Sequence, residues 1–198
     1  MKRIVLCVFA CAALGGCGLE ETCENEASMV SLSVGSVPFR IDSYEASRTN
    51  ATSATVGTGI TMACNTRGVL PWNNVTYEDA RNACLDAGKR LCTQQEWQAA
   101  CGTAYPYGNS YQLGTCNDGD GLETSATGAK AGCRSTSGIF DMSGNVAEWV
   151  EGGILMGGGY NFGKGDVMCT SAKKMSESSA SQTTGFRCCQ DVSLSQNQ

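Results

Sequence analysis

The chain has no histidine. This removes the base of Ser-His-Asp and Cys-His nucleophilic systems and every histidine-ligated zinc, iron or copper site. Any chemistry would fall to carboxylates, lysine, tyrosine or cysteine. Long apolar runs are also scarce, and the run at residues 4–14 is too short to cross a bilayer. Basic charge is sparse: 14 Lys and Arg stand against 19 Asp and Glu, for a formal net charge of -5. No patch can neutralise phosphates, so a nucleic-acid partner is not expected. No C-x-x-C pair occurs, which disfavours a zinc ribbon or a thioredoxin-like motif.

What is abundant is glycine, at 25 residues, and cysteine, at 13. A chain of 198 residues suffices for one domain with a real core, and its Gly, Ser, Thr and Asn content points to a loop-rich fold. Scattered cysteines suit a disulfide framework in an oxidising compartment.

The N-terminus agrees with that compartment. Lys2 and Arg3 precede the apolar run, which ends in Leu14-Gly15-Gly16-Cys17. This reads as a lipoprotein signal peptide over residues 1–16, similar to a bacterial lipobox, with lipid attached to Cys17. Gly18 in place of Asp predicts outer-membrane retention in a Gram-negative cell. The expected partner is thus a membrane, reached through acyl chains, and the expected localisation is the cell envelope. Removing Cys7 and Cys11 and lipidating Cys17 leaves Cys23, Cys64, Cys84, Cys92, Cys101, Cys116, Cys133, Cys169, Cys188 and Cys189. Their even number allows complete pairing, but about 945 connectivities exist and spacing does not choose among them.

Residues 17–36 read as a tether, residues 37–192 as the domain and residues 193–198 as a tail. Pro38, Phe39, Ile41 and Tyr44 suggest a short strand interrupted by Asp42 and Glu45. Thr76, with Glu78 and Asp79 in the first turn, predicts a helix that Gly88 stops. Thr93 and Glu96 form a second capping box, and Gly102 ends that helix. Residues 184–189 read as a final strand. The fold class is therefore α+β, with two short helices, short strands and much irregular chain. Glu78 with Asp79 reads as helix capping, and Asp118 with Asp120 as solvated loop charge.

Residues 138–149, G-I-F-D-M-S-G-N-V-A-E-W, set Asp141, Asn145 and Glu148 in an apolar frame around a tight turn. That composition suits either a hard cation such as calcium or an internally bonded turn locking two parts of the fold. Residues 158–164 satisfy G-x-x-x-x-G-K, but Gly165 stands where a P-loop needs Ser or Thr, so no nucleotide is expected.

Five blocks in order give the chain a family resemblance. Ile41-Asp42-Ser43-Tyr44-Glu45 opens it. Residues 71–80 and 88–97 (P-W-N-N-V-T-Y-E-D-A and G-K-R-L-C-T-Q-Q-E-W) follow, then Tyr105-Pro106-Tyr107-Gly108. Residues 138–149 and Gly185-Phe186-Arg187-Cys188 close the series. Together they resemble the formylglycine-generating enzyme, or sulfatase-modifying factor, family, whose fold is an irregular C-type lectin-like domain. The resemblance implies structural calcium at Asp141, the carbonyls of Gly144 and Val146, and Glu148, with a second site near Asn117. It also implies disulfides Cys84–Cys188 and Cys101–Cys169. Adjacent Cys188 and Cys189 on a strand point to opposite faces, which suggests Cys92 for Cys189. Cys116–Cys133 would close a local loop, leaving Cys23 with Cys64.

The family's oxidase chemistry uses two copper(I)-binding cysteines after an R-G-G-S block. Here that block reads Met156-Gly157-Gly158-Gly159, and the matching positions hold Phe162 and Val167, which cannot ligate copper. No copper is expected. The sequence-level expectation is a non-catalytic binding or scaffold domain for a protein or glycan ligand, with Trp72, Tyr105, Tyr107, Tyr160 and Phe162 as candidate contacts. The alternative is an active oxidoreductase or protein-modifying enzyme of the family using another cysteine pair.

Overall fold

The computed structural model describes residues 22–24, 26–119 and 121–192. The signal segment, Cys17, the start of the expected tether, Asp120 and the tail lie outside them. The described chain opens on a hairpin. Strand β1, Val30–Val34, alternates apolar residues with serine and turns through Gly35 and Ser36 into β2, Val37–Ile41. The expected tether therefore does not extend to residue 36. The V-S-L-S-V alternation is that of a half-buried strand, and Val30, Leu32 and Val34 pack against the core.

Both predicted helices form where their caps place them. Thr76 accepts from the Asp79 amide and starts α1, Tyr77–Asp86, which buries Ala80, Ala83 and Cys84. Gly88 takes a left-handed φ of 70° just beyond it, and β3, Arg90–Leu91, follows. Thr93 and Glu96 close a capping box on α2, Gln94–Cys101, which buries Trp97, Ala100 and Cys101. Reciprocal capping of this kind satisfies amides that a short helix leaves open.

After a long irregular stretch come β4, Ala147–Val150; β5, Ile154–Met156; β6, Ala172–Lys174; β7, Thr184–Phe186; and β8, Cys188–Asp191. They build two four-stranded sheets, ordered β1-β2-β8-β3 and β6-β5-β4-β7. The second is antiparallel except for the β4–β7 pair. The expected single strand over residues 184–189 is thus two strands in two sheets. They divide at Arg187, whose side chain turns inward to an acid on β4.

All of β4 is buried, so its alternating side chains enter two different cores. Val150 joins a cluster with Phe39, Ile41, Trp97 and Met156. Trp149 joins another with Trp72, Val75, Leu91 and Phe186. Cys188 and Cys189 divide between the same two clusters. Five disulfides knit the domain: Cys23–Cys64, Cys84–Cys188, Cys92–Cys189, Cys101–Cys169 and Cys116–Cys133. Every cysteine among the described residues is therefore bridged.

Candidate functional site

The turn at residues 138–149 is an internal junction. Asn145 takes a left-handed φ of 56° and Gly144 one of 76°, conformations that turn residues and glycine reach at low cost. This aims the Asn145 amide into the fold. Its Oδ1 accepts from Asn117 Nδ2 at 2.9 Å and from the Ser125 amide at 2.8 Å. Its Nδ2 donates to Glu45 Oε2 at 2.6 Å and to the Ser125 carbonyl at 3.1 Å. On the backbone, Asn145 N donates to Asn117 O, and Tyr160 N donates to Asn145 O. The Asn145 side chain thus ties its own turn to Glu45 and to the loop holding Asn117 and Ser125.

Beside it lies a buried ionic group. Arg187 Nε and an Nη atom bind the two oxygens of Glu148 at 2.7 and 2.6 Å, and Trp97 Nε1 donates to the same carboxylate at 2.6 Å. The guanidinium also donates to the carbonyls of Asp42, at 3.1 Å, and Phe140, at 2.8 Å. The Arg187 and Glu148 side chains are only 0% and 1% accessible, so the fork is fully desolvated and its donors are matched geometrically. Glu45 accepts from the Val146 amide and Asp141 from the Gly128 amide.

Burial pushes Glu45 well above the usual carboxylate range, and the charges of Asp141 and Glu148 push further, against Arg187. Asp141 is raised to about 6, chiefly by burial, despite its bond from Gly128 and the attraction of Arg187. Burial opposes the charge on Arg187, but Glu148 outweighs it and holds the guanidinium above its ordinary value. Three acids around one base explain these directions, because desolvated like charges resist ionising together.

In this arrangement Glu148, which the resemblance implied as a calcium ligand, is engaged within the protein. Both Glu148 oxygens are engaged, and a dication there would adjoin the Arg187 guanidinium. Asn117 turns its amide to Asn145 and to the Glu123 carbonyl. Asp141 accepts from the Gly128 amide, and the Asn145 and Val146 amides donate to the Asn117 carbonyl and to Glu45. Among the described residues no cluster of three or more His, Cys, Asp or Glu has metal-binding geometry. The bonds present are those of an internally bonded turn.

The concave site lies on the opposite face of β4. Ala147 of β4, Leu155 of β5, Lys173 of β6 and Thr184 of β7 floor a cleft of about 250 Å³. Phe162, Met175 and Thr183 wall it, and Asp166 contributes a carboxylate. Strand alternation assigns these floor residues to the face opposite Glu148. The chain can close the rim because Gly158 is small: a Cβ there would come 2.6 Å from the Asp166 carbonyl.

Phe162 therefore stands in the cleft, whereas Val167 is fully buried. Cys169 is bridged to Cys101, and Cys188 and Cys189 lie in β8 of the other sheet, bridged to Cys84 and Cys92. No thiol pair of the described residues lines the cleft.

The other aromatic candidates divide. Trp72 is buried against Phe186 with Arg48 over its ring, so it belongs to the core. Tyr105 is buried too, stacked on Tyr107, and donates its hydroxyl to the Lys164 carbonyl. Tyr160 is half-buried and bonded through its amide to Asn145. Residues 158–164 form turns with no helix after them. Sequence reasoning gave no role to Glu45 or Arg187. The available signal was a charge within each of two apolar stretches that the sequence marks as strands.

An irregular α+β fold, an inward-bonded G-N-V-x-E-W turn and a cleft over the second sheet define a domain of the sulfatase-modifying type. The model of the sulfatase-modifying factor enzyme 1-like domain matches residues 23–192, and the chain belongs to that family. It is 33% identical over 96 residues to the inactive C-alpha-formylglycine-generating enzyme 2 of Bos taurus, covering 40% of this chain and 32% of that one. It is 26% identical over 152 residues to the serine/threonine-protein kinase Pkn1 of Chlamydia trachomatis, covering 62% of this chain and 24% of that one. The chain thus spans about a third or less of the length of these curated relatives. The structure of PvdO from Pseudomonas aeruginosa is similar in fold, with a TM-score of 0.58 at 17% identity over 78% of this chain and 81% of that one. The disulfide-rich domain is consistent with an exported protein, and no described helix is long and apolar enough to cross a membrane.

Proposed function

We propose that this protein is a non-catalytic binding domain, held at a membrane by lipid on Cys17, which receives its ligand in the cleft beneath Phe162. The observation that carries this reading is chemical. All described cysteines are bridged, and Phe162, which the family resemblance sets at a position where the oxidase chemistry calls for a thiol, lines the cleft. Copper(I) needs soft thiolate ligands, and a phenyl ring supplies none. At about 250 Å³, the cleft falls below the roughly 300–1,000 Å³ of small-molecule sites. One apolar side chain of a protein ligand, flanked by polar groups that meet Asp166 and Lys173, fits it better.

Two readouts on the exported protein test the reading. Thiol titration of the denatured, unreduced protein should find no free thiol, and crosslinking to envelope proteins should be lost when Thr183→Arg fills the cleft. Two titratable thiols protected by copper(I) would overturn the non-catalytic assignment. Crosslinking unchanged by Thr183→Arg would overturn the cleft.

A further inference from the structure

Among the described residues, β1 is the outer strand whose edge has no protection. β6 carries Lys173 and Lys174, β3 is two residues long with Arg90 paired to Glu96 and Asp191, and β7 is buried. Such charge, brevity and cover are how sheets normally prevent edge-to-edge pairing. β1 has none of them: it is five residues, Val-Ser-Leu-Ser-Val, without charge or proline.

Its outward groups are fixed by the hairpin. Val34 and Val37 flank the two-residue turn, so Val34–Val37, Leu32–Phe39 and Val30–Ile41 are the hydrogen-bonded pairs. Pro38, which has no amide hydrogen, accordingly falls opposite Ser33 in a pair that needs none. The amides and carbonyls of Ser31 and Ser33 therefore point away from β2. Among the described residues, neither serine makes a backbone bond outside this hairpin. Their side chains are exposed, whereas Val30, Leu32 and Val34 are half-buried on the core side.

The strand also reads the same in both directions. An antiparallel copy placed about a two-fold axis at Leu32 sets Ser31 opposite Ser33 of the second copy, twice, and Leu32 opposite itself. Ser31 and Ser33 are the residues with outward backbone groups, so both Ser–Ser pairs would be hydrogen-bonded and Leu32 would occupy the close, non-bonded pair. The half-buried valines and leucine would meet their own kind across the seam, as a self-complementary two-fold interface requires.

We infer that β1 is a self-association edge at which a second copy of this chain pairs antiparallel, joining two four-stranded sheets into one continuous sheet. The seam is small, well under the roughly 1,200 Å² of standard stable interfaces. The dimer is therefore weak and concentration-dependent, with a dissociation constant on the order of 100 µM.

Sedimentation of the full-length protein over a concentration series tests this, with melting temperature as the check on folding. Wild type should pass from monomer to dimer. Ser31→Lys with Ser33→Lys places like charges at both crossings and should raise the dissociation constant at least about tenfold. Ser31→Glu with Ser33→Lys places unlike charges at the same crossings and should dimerise at least as well as wild type. A wild type that stays monomeric at about 1 mM, including one that recruits only a foreign strand, overturns the inference. So does a dimer that the double-lysine variant leaves unchanged.

Discussion

Replacing Glu148 with Gln is the sharpest test of the buried junction. The substitution preserves shape and an acceptor for Trp97 but removes the charge facing Arg187. Both side chains are fully buried, and opening a buried ion pair from one side typically costs about 3–5 kcal/mol, because the remaining charge is stranded. Glu45 and Asp141 also attract Arg187, which places the expected loss near the lower end, at about 3 kcal/mol. For a domain of this size that lowers the melting temperature by about 6–12 °C. Calorimetry with disulfides intact, run once in calcium and once in chelator, is the assay. The loss should be the same in both, since the partner is Arg187. Adding Arg187→Met should recover part of it, because removing both charges leaves neither unpaired. A melting temperature within about 1 °C of wild type would refute the reasoning, as would a loss confined to calcium.

The remaining predictions concern the same turn, with Gly35 of the β1–β2 hairpin as a control. Asp141, faced by Glu45, Glu148 and Arg187, sits at about 6 against an ordinary 3.8. The native state therefore keeps a proton that the unfolded chain has already released, and stability falls as pH rises through that window, then levels. Asp141→Asn should gain on wild type between pH 4 and 7 by on the order of 2 kcal/mol in urea denaturation, and parallel pH profiles for the two would count against it. Gly144→Ala places a Cβ 2.2 Å from the Asn117 carbonyl and should cost about 3 kcal/mol or more. Gly35→Ala, also at positive φ but with nothing within 4 Å, should cost only about 1–2 kcal/mol. Equal losses at the two glycines would show that backbone angle, not crowding, governs both.

Local signals carried much of the architecture. The helices were legible because Thr76, Thr93 and Glu96 act within three or four residues of themselves, and the family because its blocks are short and contiguous. Expectations failed where a residue's role depends on something far along the chain. Residues 30–36 looked like tether because V-S-L-S-V is weakly hydrophobic alone and gains its stability from β2 and α2. Residues 184–189 looked like one strand because no local cue marks the switch of sheets at Arg187. The pairing of Glu148 with Arg187 had no local cue, because the two lie 39 residues apart. The cleft had only Phe162 to announce it, and its floor needed four strands to be assembled.

The two bridges ending at Cys188 and Cys189 close loops with sequence separations of 104 and 97. They bind α1 and the approach to α2 to a single dipeptide in β8. Neither can form until β8 has emerged into the oxidising compartment, although Cys23–Cys64, Cys101–Cys169 and Cys116–Cys133 have both members earlier in the chain. Until then, the thiols of Cys84 and Cys92, which belong to two different cores, are available to the wrong partner. Because Cys188 and Cys189 point to opposite faces, β8 must already lie between β2 and β3 before each thiol meets the right mate. Correct oxidation is thus a proofreading step on strand order, and a chain that misplaces β8 would be marked by scrambled bridges rather than by a merely looser fold.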